Sequence, residues 1–149
     1  MQRKQREPGE ELPRTGASVT RLQAMPDRVR PRAPMAPADV SPQSLNAARR
    51  MVRERLRRGQ FFDPGLFADP AWDMMLDIFI AEAEGRETPV MNLCLSSQVP
   101  ETTTLRWVKT LEQAGIFVRK KDEHDQRRVL VRLSPEAAKA MAVYLDGHA

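Results

Sequence analysis

In 149 residues there is a single cysteine, Cys94, and only two histidines, His124 and His148. One cysteine excludes an internal disulfide and a thiolate cluster for a structural metal, which fits a reducing, cytoplasmic setting. The histidines have no partners at the spacing of a catalytic triad or a catalytic zinc site, and no glycine-rich phosphate loop is present. No enzymatic activity, cofactor or metal is therefore expected. The acidic run Asp122, Glu123, His124 and Asp125 reads far better as a solvated turn than as a metal cluster. Apolar runs fall well short of the ~18 residues a membrane span needs. The basic N-terminus lacks the apolar block that would make it a secretory signal. Met25 and Met35 are alternative starts between which the sequence does not choose.

What is abundant is proline, and it is clustered. Seven of the twelve prolines lie in the first 42 residues, among Arg, Glu, Ala and Ser with few large apolar side chains. Such a stretch cannot bury enough surface to offset its ordering entropy, so residues 1–41 are expected to be a disordered basic arm ahead of a domain over 42–149. Charge is just as uneven. Residues 1–58 hold 14 Lys and Arg against 6 Asp and Glu, while the remainder is acidic overall. Within that acidic remainder Arg106, Lys109, Arg119, Lys120, Lys121, Arg127, Arg128 and Arg132 make a local basic stripe, which points to a polyanion.

Hydrophobic periodicity divides 42–149. Ser41-Pro42 opens a helix with Leu45, Ala48, Val52 and Leu56 on one face, and Gly59 ends it. Phe61, Phe62, Leu66 and Phe67 are expected to plug the core; with the first helix they form a segment over 42–68 suited to a dimer contact. The winged core then runs over 69–149. Asp69 caps a helix whose stripe is Trp72, Met75, Leu76, Phe79, Ile80 and Ala83, stopped by Gly85.

Val90, Leu93, Cys94 and Ser97 line a short helix, broken at Gln98-Val99-Pro100. A second, basic helix follows near Thr102 to Ala114, with Leu105, Trp107, Val108 and Leu111 inward and Gly115 as its stop. Two helices joined by a short break make a helix-turn-helix. From Ile116 to Leu133 the period changes to two, giving a β-hairpin with a charged tip. Ser134-Pro135 restarts a helix with Ala137, Ala140, Met141, Tyr144 and Leu145 inward. The expected fold is thus mainly α with a small β-hairpin wing, an α+β winged helix-turn-helix.

The ordered string Leu93-Cys94, Val99-Pro100, Thr102-Thr103, Arg106, Leu111-Glu112, Gly115-Ile116, Asp122, Asp125, Arg127-Arg128, Val131 and Leu133-Ser134 resembles the MarR-type winged-helix regulators of bacteria. The resemblance implies a sequence-specific transcriptional regulator that binds duplex DNA as a homodimer. Thr102, Thr103 and Arg106 would enter the major groove, Lys109 and Thr110 would meet phosphates, and Arg127 would reach the minor groove. Asp125 and Arg128 would position the wing tip. The residues leave other roles open: Thr102 and Thr103 as helix caps, Arg106 paired with Glu112, Trp107 as core, Cys94 as inert packing.

The family's long C-terminal dimer helix looks truncated in this chain, which leaves a small-molecule effector possible but unsupported. It also keeps alive a second function, a winged-helix adaptor for another protein whose basic arm touches nucleic acid non-specifically.

Overall fold

The computed structural model describes residues 40–97 and 99–148. The expected arm over 1–41 falls almost wholly outside them, as does Gln98 in the expected turn. Helix α1 spans Pro42–Arg58, α2 Pro70–Ala83, α3 Val90–Ser96, α4 Glu101–Gln113 and α5 Pro135–Asp146; a short 3-10 turn, Pro64–Phe67, lies between α1 and α2. Strands β1 (Thr88–Pro89), β2 (Phe117–Lys121) and β3 (Val129–Leu133) form an antiparallel sheet in the order β1-β3-β2.

Helix boundaries follow capping chemistry. Ser41, Asp69 and Ser134 each accept a backbone N–H of the first turn through the side chain, and each precedes a proline at the start of its helix. At the other end, Gly85 and Gly115 adopt φ of +69° and +71°. Each allows the two closing bonds of a Schellman turn, Arg86 N–H to the Ala81 carbonyl and Ile116 N–H to the Leu111 carbonyl among them. Gly115 thereby turns the chain from α4 directly into β2.

Helix α2 is the central element, packed against α1, α3, α4 and β3. That explains why Met74, Ile78 and Ala81, off the single stripe read from the sequence, are buried along with Leu76 and Phe79. The core continues through Leu93, Val108, Leu111, Phe117, Val131, Leu133, Met141 and Leu145. Arg55 of α1 donates to Asp73 of α2 at 2.8 Å, a mostly buried ion pair joining the two helices. Burial raises the Asp73 carboxyl above its ordinary value against the pull of Arg55.

Several faces are rotated from expectation. Phe61, Phe62, Leu66 and Phe67 do not plug the core: all are exposed, Phe61 by 70%. Phe62 and Phe67 stack edge to face on one another, and the Arg58 guanidinium sits over Phe67. Leu56 is likewise exposed, because α1 turns Ser44, Ala47 and Ala48 inward. Ala140 and Tyr144 lie outward on α5, where Ala138 takes the inner place; Tyr144 packs on Trp72 and His148 instead. Leu105 is exposed and Thr104 is buried in its stead.

The third strand, β1, has no counterpart in the expected hairpin. β1 is two residues long, one of them Pro89, too short to leave a period-two signal. It makes β3 the middle strand, and Leu130, set between Pro89 and Lys120, is buried in addition to the alternating Val131 and Leu133.

Candidate nucleic-acid interface

Helices α3 and α4 are fastened by two hydroxyls. Ser97 and Thr104 are both fully buried, and their side-chain oxygens lie 2.6 Å apart. The pair closes the turn from within and leaves neither oxygen unsatisfied. Thr104→Val keeps the shape but strips Ser97 of its partner. It is expected to cost about 1–2 kcal/mol in urea unfolding; a loss no larger than that of an exposed Thr102→Val would remove the bond from the account.

With Thr104, Val108 and Leu111 inward, α4 presents Thr102, Leu105, Arg106 and Lys109 on its exposed side. The helix starts at Pro100, which offers no side-chain cap, and among the described residues no hydrogen bond joins the Thr102 or Thr103 hydroxyl to a helix-start amide. The Thr103 and Thr104 amides both donate to the Pro100 carbonyl. Thr110 donates its hydroxyl to the Arg106 carbonyl at 3.0 Å, which commits its proton to the helix. Trp107 is partly buried against the core, in keeping with a packing role. Burial pushes the Cys94 thiol up, and the Glu101 carboxylate adds to the rise, so the sulfur is held protonated.

The wing tip is organised by two aspartates. The Asp125 carboxylate accepts the Arg127 N–H at 3.0 Å, and the Arg128 N–H donates to the Asp125 carbonyl. Asp122, expected with its neighbours in a solvated turn, is instead buried and accepts the His124 N–H at 2.8 Å. Its other carboxylate oxygen lies 3.6 Å from the Arg128 guanidinium. The His124 amide, with help from the Asp125 amide and Arg128, holds the Asp122 carboxyl below its ordinary range. Arg128 therefore faces Asp122, while Asp125 shapes the backbone beneath Arg127. The signal for this was legible, since Asp two residues before a turn amide is a common Asx turn.

Ion pairing sorts the basic stripe. Arg119 pairs with Glu112, Lys120 with Glu123, Arg128 with Asp122 and Arg132 with Glu87. Glu112 is thus engaged by Arg119, not by Arg106. Arg106, Lys109, Lys121 and Arg127 are exposed and have no acidic partner among the described residues. Two stand on α4, one ends β2 and one is at the wing tip. Lys121 was not singled out from the sequence, where nothing separates it from its paired neighbour Lys120.

A helix-turn-helix followed by a hairpin on a three-stranded sheet, with open cations on the second helix and the hairpin, leaves one architecture. The fold is a winged helix-turn-helix. Residues 75–137 match the family model described as a winged helix DNA-binding domain. No curated protein sequence matches the chain. Among solved structures, the winged helix is similar to MepR of S. aureus in complex with DNA, at 12% identity over 66% of this chain and 73% of that one, TM-score 0.46. It is also similar to MarR of E. coli, a cysteine-to-serine mutant, at 18% identity over 70% and 71%, TM-score 0.43. A third is ZitR of Lactococcus lactis, at 12% identity, TM-score 0.42, where the match spans 51% of each chain. Among the described residues of the winged helix and its flanks, no helix is long and apolar enough to cross a membrane.

Proposed function

We propose that this winged helix belongs to a sequence-specific transcriptional regulator of MarR type, which binds duplex DNA as a homodimer and acts at the nucleoid. The observation that carries the reading is the pattern of neutralisation. Four of the eight cations in the basic stripe are tied to acids, and the four left open stand on the two elements a winged helix turns toward DNA. Thr102, Thr103 and Arg106 read the major groove, the guanidinium of Arg106 forking onto a guanine edge. Lys109 and Lys121 neutralise phosphates. Thr110 joins them by turning its hydroxyl away from the Arg106 carbonyl. Arg127 enters the minor groove from a tip kept in shape by Asp122, Asp125 and Arg128.

The second copy docks on α1 and the apolar surface beside it, where Leu56, Phe61, Phe62, Leu66 and Phe67 are exposed together. The same surface carries a groove of about 500 Å³ between Met51, Phe61, Phe62, Trp72 and the arginines of α1. We assign it to the partner copy in preference to a small-molecule effector.

Selection of bound sequences from a random duplex pool tests the reading. A palindromic consensus with half-sites about one helical turn apart is expected. No enrichment would overturn it and favour a protein adaptor. Arg127→Ala is expected to weaken binding and reduce the slope of log affinity against log salt by about one unit; an unchanged slope would take the wing tip out of the interface.

A further inference from the structure

The wing hangs from the sheet by β3, and one amide at its base has no strand to pair with. The Ser134 N–H donates to the Ile116 carbonyl, on the β2 side. By the alternation of an antiparallel ladder, the Leu133 N–H therefore points the other way, toward β1. But β1 pairs only with Val131 and Leu130 and stops short of Leu133. The vacancy is filled from α2: the Glu82 carboxylate accepts the Leu133 N–H at 3.1 Å, across 51 residues of sequence. A side chain thus completes the sheet edge where the wing joins the core. On the other side of β3, Arg119, engaged with Glu112 of α4, lies opposite Val131.

We infer that Glu82 is a positioning residue for DNA binding, fixing the wing at the angle to α4 that lets both engage the duplex together. The inference rests on the DNA-binding reading above. Burial pushes the Glu82 carboxyl up to about 7, against the opposing pull of the Leu133 amide and of Arg132. Arg132 is shared with Glu87. From α1, Arg49 and Arg55 are taken by Glu84 and Asp73. Helix α3 carries no charged residue; on α4, Glu112 is held by Arg119, and Glu101, Arg106 and Lys109 are exposed.

The Leu133 amide favours the charged carboxylate, so by linkage the charged carboxylate grips the amide more firmly than the protonated one does. The wing is best seated above neutral pH. Affinity for duplex DNA is therefore expected to rise about five-fold from pH 6 to pH 8 through this group.

Two measurements on the full chain test this. In the free protein, the NMR shift of the Leu133 amide is expected to titrate near neutrality, and to stop doing so in Glu82→Gln, which keeps the acceptor and loses the charge. In fluorescence anisotropy with a selected duplex, the Gln variant is expected to lose the five-fold rise, and Glu82→Leu, which has no acceptor, to bind more weakly than both at pH 8. A Leu133 amide that does not titrate would overturn the inference even if DNA binds. So would identical pH profiles of affinity in parent and Gln variant. If the Leu133 amide titrates but the parent binds no duplex at either pH, the DNA reading itself fails and takes the inference with it.

Discussion

At pH 8 the Glu82→Gln variant is expected to be more stable than the parent, by up to about 3 kcal/mol. A carboxyl moved from 4.5 in the unfolded chain to about 7 in the folded one corresponds to a difference of that size. Between those two values the folded protein still holds the proton that the unfolded chain has released. Stability therefore falls as pH rises through this window and is lowest above it. Below pH 4.5 both states are protonated and the variant's advantage vanishes. Urea unfolding of parent and variant at pH 5, 6, 7 and 8 checks this, and parallel curves would show that the charge carries no such penalty. The same ionisation that costs stability tightens the bond to the Leu133 amide, so the folded protein is less stable where its wing is best held.

Arg106→Ala is expected to lower affinity for the preferred duplex by about 5- to 150-fold, corresponding to ~1–3 kcal/mol for one bidentate base contact. The side chain is exposed on α4 with no acidic partner among the described residues, so its removal leaves no buried group behind and α4 intact. The loss should be specific. One base position of the consensus relaxes, whereas Lys109→Ala, which removes only a phosphate charge, weakens all sequences alike. Binding with unchanged affinity and preference would place Arg106 outside the groove.

The sequence carried the order of elements well, because capping residues and glycine stops are local. Ser41, Asp69, Ser134, Gly85 and Gly115 each act within a turn of their own position. Which face of a helix is buried is a property of the neighbours, which a local pattern does not carry. Helix α2 touches four elements, so a single stripe underestimates its core. Helix α1 buries small residues, Ser44, Ala47 and Ala48, and leaves Leu56 out. The four apolar residues after α1 looked like core by composition, yet they lie on the surface. Among the cations proposed to meet DNA, Arg106 and Arg127 stand out by type and place in the sequence, whereas Lys121 emerges only once ion pairs have claimed Lys120 and Arg119. Glu82 could not be found at all from sequence, since its partner is a backbone amide 51 residues away.

The smallest strand has a consequence for how such molecules crowd together. One border of the sheet is β1, two residues long and half proline, which has no N–H to offer a passing chain. The other border is β2, whose Arg119, Lys120 and Lys121 are all exposed. Neither edge is a template for another strand, so copies gathered at high local concentration are protected from edge-to-edge aggregation.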